Sequence, residues 1–472
     1  MASGFDPAYM ETLLFCDVQI NGEGPKSVRG KIISTGTDFL VIQSHNEFTF
    51  YRTAGIKQIM LINTAQPEFK EQKVSGFKSE EVNSFSQLVN NLHGVPVRVN
   101  RGGPRHGQGI LSDIDPGYIT LMSPEGKLTY YRSDALECLS ITKDNQQLRK
   151  LLAPTRPKGH SGSREFEEII CQFVGSTVHI NGEAPGHRDG QILSASFDYL
   201  TICGPDQKIT YYPKNKIYNI GQMGHPGKEP HRKFPRRETF TAGQMPVEGP
   251  NFIRAENFDE LVKHLLGQKV HIHLSFPPGA TGTLIAAEGD CLIVKEDYRY
   301  ICYVNKNTLH FITLEYERVF RTDLNPSQLI IPKGFDQVSK MLKSQTVLLD
   351  GLGEVLQIIG SENSQIITLS DGAGGLAYFN ADRLGKIRLA DYEKDFTVGI
   401  PATLNRGESM RNLLEKLKGQ RVAVNFLQPE AVMGILFDVF DEFIVLLFYN
   451  KTFLVPIMQI NSILVRSFET NK

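Results

Sequence analysis

The chain has no tryptophan, and its six cysteines (Cys16, Cys138, Cys171, Cys203, Cys291 and Cys302) include no C-x-x-C pair. That scatter excludes the usual zinc-ribbon and dithiol redox patterns. Long apolar runs are missing as well: no stretch of ~20 apolar residues could cross a bilayer as a helix. The opening residues, Met-Ala-Ser-Gly-Phe-Asp-Pro, have no basic region ahead of an apolar one, so no secretory leader is expected. Nor is there an excess of charge: 51 Lys and Arg stand against 52 Asp and Glu, a net of −1. A general nucleic-acid binder carries a basic footprint that this total lacks. Catalytic signatures are absent too. There is no Gly-x-Ser-x-Gly elbow and no His-Glu-x-x-His pair. Gly351-x-Gly353 lacks the third glycine of a dinucleotide fingerprint, and Ser370-Asp-Gly-Ala-Gly-Gly375 reads as a hairpin loop. No enzymatic activity, cofactor, metal or small-molecule substrate is therefore expected.

What the chain does have is internal repetition. An Asn-led turn followed by Pro and Gly recurs as Asn21, Pro25, Gly30; Asn100, Pro104, Gly109; Asn181, Pro185, Gly190; and Asn425, Pro429, Gly434. A degraded copy reads His273, Pro278, Gly282, and a fifth copy keeps only Asp350-Gly351. A fixed period of this kind decides the architecture before any single element does.

The second copy is the easiest to read. Ser84 with Gln87 makes a capping box, and Phe85, Leu88 and Leu92 follow at helical spacing. Strands are predicted at Val97–Val99, from Gly109, at Tyr118–Met122, around Leu128–Tyr131 and at Leu136–Leu139, each separated by Gly and Pro turns. The paired residues Tyr130-Tyr131 recur as Phe50-Tyr51, Tyr211-Tyr212, Tyr303-Val304, Tyr378-Phe379 and Leu454-Val455. The expected fold is mainly β with short helices: six tandem Sm/SH3-like small bent-sheet barrels, each a short N-terminal helix plus five strands. Their boundaries fall at 6–62, 84–142, 163–220, 257–314, 334–389 and 409–466. Ring, two groups of three, or string all remain open arrangements. Modules this small leave edges, and edges invite pairing with a neighbour.

Several residues stand out as candidates. The turns at Asn21, Pro25 and Gly30, at Asn100, Arg101, Gly102, Gly103, Pro104 and Gly109, and at Asn181, Pro185 and Gly190 are candidate interaction loops, made polar by Arg101, Arg105, His106, His187 and Arg188. The recurring acidic residues Asp38, Asp198, Asp290 and Asp441 read as turn-shaping. Buried, reduced thiols are the plain reading of the cysteines. The alternative is a disulfide between Cys291 and Cys302, which are equidistant from a hairpin at Glu296-Asp297. His271 and His273 alternate on one strand without a third ligand. The stretch 221–256, with Lys228, His231, Arg232, Lys233, Arg236 and Arg237, reads as a basic, Pro-rich tether or a docking patch.

The element order resembles the Sm/LSm fold, including bacterial Hfq, and Gly434 to Leu447 is the nearest stretch to it. The segments Val99-Asn-Arg-Gly-Gly-Pro-Arg-His-Gly-Gln-Gly-Ile-Leu111 and Leu128-Thr-Tyr-Tyr-Arg132, with weaker versions from Ile20 to Pro25 and from Ile180 to Pro185, resemble the spore coat protein B family of endospore-forming bacteria. That resemblance covers the first three copies. It implies a structural protein made in the mother-cell cytosol and laid down in the spore coat, with itself or other coat proteins as partners and no membrane. The family's long Ser/Lys-rich tail has no counterpart before Lys472, so tail-dependent behaviour is not carried over. The alternative is an RNA-binding, pseudo-oligomeric ring. It would use the residues after each fourth strand: Arg52-Thr53, Arg132-Ser133, Pro213-Lys214, Val304-Asn305, Asn380-Ala381 and Pro456-Ile457. That set is not uniformly basic, which makes nucleic acid an improbable partner.

Overall fold

The computed structural model describes residues 5–22, 27–45, 47–62, 82–101, 106–124, 126–142, 165–182, 187–223, 252–275, 279–296, 300–315, 332–349, 355–360, 365–370, 375–389, 409–428, 431–449 and 451–465. Along them a short helix and five strands follow one another six times. In the first segment these are the helix Pro7–Thr12 and the strands Asp17–Ile20, Val28–Thr35, Phe39–Gln43, Glu47–Arg52 and Ile59–Leu61, with a 3₁₀ turn at Thr53–Gly55. The later helices are Phe85–Asn91, Phe166–Gln172, Phe258–His264, Phe335–Met341 and Met410–Lys416. The capping box forms as the sequence predicts: Ser84 accepts from the Gln87 N–H, and the Gln87 side chain accepts from the Ser84 N–H.

Within a segment the first strand pairs with the second and the fifth, the second with the third, and the third with the fourth. The fourth strand does not return to the fifth. Instead it pairs with the fifth strand of the next segment. Glu47–Arg52 pairs with Cys138–Thr142, Leu128–Arg132 with Asn219–Gln222, and Ile209–Pro213 with Leu309–Leu314. Tyr300–Asn305 pairs with Lys386–Leu389, and Leu376–Asn380 with Ser462–Val465. Finally Lys451–Pro456 pairs with Ile59–Leu61 of the first segment. The result is one 30-stranded sheet closed on itself.

This corrects the expectation of six separate small Sm/SH3-like barrels with free edges. No described segment completes a barrel alone, because the hydrogen bonds that would close it go to its neighbour. The strand edges expected to dock other molecules are used inside the chain. Of the arrangements left open by the sequence, the string and the two groups of three are excluded by the pairing of the sixth segment with the first.

The cores follow the same rule. Each of six apolar clusters draws on two or three adjoining segments, and the cluster holding Phe5, Met10 and Val18 also holds Phe443, Val445 and Leu454 of the sixth. The paired aromatic residues of the fourth strand explain how. Successive strand residues point to opposite faces. Phe50 therefore enters the second segment's core while Tyr51 enters the first's. Tyr211 and Tyr212, Tyr303 and Val304, and Tyr378 and Phe379 divide in the same way. Every second strand carries a register shift at the same place, between Ile32 and Ser34, Leu111 and Asp113, Ile192 and Ser194, Leu284 and Ala286, Ile358 and Gly360, and Leu436 and Asp438. Such a bulge bends the strand, so that Ile33, at the bulge, and Ala286, just beyond it, pack into the following segment's core.

Candidate functional site

For a chain built this way, the chemistry worth examining lies at the junctions between segments and on the surface left over. The Asn of the recurring turn is not an exposed contact residue. Asn21, Asn100, Asn181 and Asn425 are buried and have positive φ, 59°, 51°, 61° and 54°. Asn tolerates this left-handed backbone better than most residues. Each side chain ties the end of the first strand to the 3₁₀ turn and the fifth strand. The Asn181 Oδ1 accepts from the Tyr218 N–H at 2.7 Å, and its Nδ2 donates to the Lys216 carbonyl at 2.9 Å. Asn21, Asn100 and Asn425 repeat the pattern with the N–H groups of Lys57, Glu137 and Asn461, each at 2.7 Å.

Gly30, Gly109 and Gly190 lie in second strands, against the backbone of the third. A Cβ on Gly30 would stand 2.3 Å from the Gln43 carbonyl oxygen, which explains the glycine without any contact role. Arg101 reaches across to the first segment, where its guanidinium meets the Glu47 carboxylate and donates to Thr49 Oγ1 at 3.1 Å. Pro25, Gly102, Gly103, Pro104 and Pro185 lie outside the described residues, as do Arg105, Asp350, the two glycine-rich loops near 351 and 371, and the basic cluster from Lys228 to Arg237.

The cysteine pairing is also corrected. Register sets Cys291 opposite Asn305 and Cys302 opposite Val294. Glu296, assumed to turn, instead pairs with Tyr300, which moves every opposing partner by three places. Cys291 packs in the fifth segment's core and Cys302 in the fourth's, and both are free thiols. Burial pushes the Cys291 thiol up to about 12, far from the thiolate a nucleophile needs.

Three junctions carry buried or half-buried charge. Between the first and second segments Glu47 meets Arg101. Between the third and fourth, Lys208 Nζ donates to both carboxylate oxygens of Glu315 at 2.7 and 2.6 Å. Between the fourth and fifth, Glu296 accepts from Arg388 at 2.6 Å and faces Lys386 at 3.6 Å, while Lys386 also donates to the Gly279 carbonyl at 2.7 Å. The junction of sixth and first is aromatic instead: Phe443 packs on Phe5 and Tyr9 with ring centroids 5.8 and 4.5 Å apart.

Two of the residues considered for RNA, Arg52 and Arg132, are committed to neighbouring turns, as are Lys216 and Gln459 outside that set. Arg52 donates to the Ser133 carbonyl at 3.3 Å and Arg132 to the Asn215 carbonyl at 3.0 Å. Lys216 donates to the Asn307 carbonyl at 2.5 Å and Gln459 to the Ala54 carbonyl at 3.3 Å. A cavity of about 450 Å³ opens at the third and fourth segments' junction, lined by Phe197, Lys214, Lys216, Phe258 and Lys306 among others. Lys306 is held by Asp259 at 2.8 Å, and Lys214 by the Cys171 sulfur at 3.5 Å. His271 and His273 do lie together, ring centroids 4.1 Å apart, but His271 Nδ1 is bonded to Thr281 Oγ1 and His273 stacks on Phe311. Among the described residues, no three His, Cys, Asp or Glu side chains gather in a metal-holding group. No described helix is long and apolar enough to cross a membrane.

The recurring Asp residues turned out to do more than shape a turn. Asp38, Asp198 and Asp290 accept hydrogen bonds from the N–H groups of Phe85, Phe258 and Phe335, each the first residue of the following segment's helix. A sequence signal for this was present, since each such Asp is followed by an aromatic-led helix, but the link is non-local, spanning 47, 60 and 45 residues. Asp441 instead pairs with Arg411 of its own segment.

The chain matches no family model. Solved structures aligned to it include BamB from Moraxella catarrhalis, at 8% identity over 94% of this chain and 87% of that one with a TM-score of 0.09. Another is Hsv2 of Kluyveromyces lactis, at 10% identity over 79% and 78% with a TM-score of 0.10; scores this low carry no argument. One curated protein aligns over 210 residues at 23% identity, 44% of this chain and 52% of its own length, so the chain spans about half of that relative. That protein is spore coat protein B of Bacillus subtilis (strain 168), and the resemblance read from the repeated turns and the Tyr pair is thus shown by direct comparison.

Proposed function

We propose that this chain is a structural protein of the spore coat, assembling with itself or with other coat proteins, and not an enzyme. The observation that carries the reading is the resemblance to spore coat protein B. The architecture supports it. A sheet with no open strand edge among its described pairings is a stiff, protease-resistant body, because unpaired edges are where sheets slip and exchange. The polar groups at the junctions are spent on tying segments together rather than aimed into a reaction pocket. Contacts with other molecules then run through faces and loops, not through added strands.

The test is a tagged copy expressed in sporulating cells of the source organism. The protein should be absent from the mother-cell soluble fraction at late stages and present in the coat extract of washed spores, released by detergent with reductant. Retention in the soluble fraction, with coats lacking it, would overturn the reading. Purified protein should also show no nuclease-sensitive absorbance at 260 nm.

A further inference from the structure

One face breaks the pattern of the other five segments. On the outer side of the second strand, the residue opposite the first strand's third position is Arg29, Gln108, Asp189 or Thr281 in the first four segments. In the sixth it is Met433, opposite Ala423. Two residues on, Lys31, Ile110, Gln191, Thr283 and Gln357 are replaced by Ile435. Next comes Phe437, at the bulge. These side chains are open to solvent: Met433 is 45%, Ile435 49% and Phe437 63% exposed, and the flanking turns add Phe440 and Tyr449. Ile33, which holds the place of Phe437 in the first segment, is buried.

We propose that this face joins two copies of the chain. The inference rests on the structural reading above and deepens it by naming the first partner. Large side chains of this kind expose roughly 200 Å² each when free, so the five together leave roughly 500–600 Å² of apolar surface open. That is at the top of what a monomer normally shows, and it is most of the ~800 Å² per partner that a stable dimer buries. The rim supplies the rest and is balanced in sign: Arg411, Lys418 and Arg421 against Glu415, Asp438 and Asp441. Arg411 pairs with Asp441 and Lys418 with Glu415 and Asp438 inside the copy, so the rim carries little net charge and a strongly acidic or basic partner gains nothing from it. The patch is also continuous with an apolar interface already in place, since Phe440 stacks on Phe443, which packs on Phe5 and Tyr9. The described strand edges are all paired within the chain, so self-association falls to a face. Among the described residues, exposed Met433, Ile435 and Phe437 come together in one segment, so the assembly stops at two copies.

Sedimentation equilibrium on the full chain at micromolar concentration should give twice its 52.9 kDa mass. The Ile435→Thr/Phe437→Thr variant should sediment at the single mass with an unchanged far-UV spectrum, because Thr keeps strand preference while removing the apolar contact. Ile110→Thr, at the matching place in the second segment, should leave the dimer intact. As a check independent of folding, Phe437→Cys should form disulfide-linked pairs under mild oxidation and Ile110→Cys should not. A wild-type chain sedimenting at the single mass, a double variant that remains dimeric, or equal cross-linking of both cysteine variants would each overturn the proposal. A monomer that still enters the coat defeats this inference alone; a dimer absent from spores defeats the coat reading alone.

Discussion

The Asp38 carboxylate accepts a hydrogen bond from the Phe85 backbone N–H at 2.6 Å, so one segment caps the helix of the next. Asp198 does the same for Phe258 at 2.9 Å and Asp290 for Phe335 at 2.6 Å. The seam that closes the sheet cannot use this device. The sixth segment has Glu442 before its third strand, and the first helix begins at Pro7, which has no N–H to give. That helix is capped from within by Asp6, and the Glu442 Oε2 atom is buried with no partner among the described residues. The closing junction thus differs in its chemistry from the three internal junctions that use the Asp cap.

Removing such a cap should loosen a junction in proportion to a helix N-cap, worth about 1 kcal/mol. We expect Asp290→Ala to lower the unfolding free energy from denaturant titration by that amount, and Asp290→Asn, which can still accept, to retain most of it. Equal loss in the two variants would show that charge, not the hydrogen bond, is what matters.

The buried asparagines should be far less replaceable. Asn181→Ala removes the acceptor of the Tyr218 N–H and the donor to the Lys216 carbonyl, part-buried bonds worth about 1 kcal/mol each. It also places a less tolerant residue at φ 61°. Asn181→Gly relieves the backbone but not the bonds, so its loss should lie between wild type and Asn181→Ala. Denaturant titrations of the two variants separate the contributions.

At the junction of fourth and fifth segments, Glu296→Gln should be strongly destabilising, because Lys386 and Arg388 keep their charges in a buried site without their carboxylate. Losses of roughly 3–5 kcal/mol are typical when one partner of a buried pair is removed. The double variant Glu296→Leu/Lys386→Met should recover a good part of that loss. A double-mutant cycle measures the coupling.

Burial is the main cause, with the adjoining His271 next, that pushes the His273 imidazole down to about 3. Its unfolded value is near 6.5, so between pH 6.5 and 3 the unfolded state binds the proton and the folded state does not. Stability from this group is fully present above pH 6.5 and falls as pH drops through that window, by at most about 1.4 kcal/mol per pH unit. The His273→Phe variant should show a shallower decline in melting temperature between pH 6.5 and 4 than the wild type. Parallel curves would count against the assignment.

Much of the local structure was legible in the sequence. The Ser84–Gln87 capping box, the Phe-x-x-Leu helical spacing and the alternating strands are short-range signals, and they need only neighbours within a few residues to form. Leu136 and Leu139, read on a fifth strand, are both buried, with the strand itself at Cys138–Thr142. The exposed-loop reading of Asn21, Asn100 and Asn181 failed because an Asn before a turn looks the same in sequence whether its amide meets water or a backbone 35 residues away. The disulfide reading failed because Glu296 pairs with Tyr300 instead of turning, which shifts every opposing pair by three places.

The doubled aromatic at Tyr211-Tyr212 and its counterparts was the clue to the closed sheet. A strand that is apolar on both faces is buried on both faces, and an edge strand has no use for that. The amino-acid order alone determined where helices, strands and turns begin, since these depend on periodicity and backbone preference close along the chain. Which strand each fourth strand pairs with, and therefore that the molecule is one closed sheet with its cores shared between segments, was decided only in three dimensions. Hydrogen bonds between strands carry no sequence label of their own. The choice between closing a segment on itself and joining the next is made by how the side chains on both faces can be buried together.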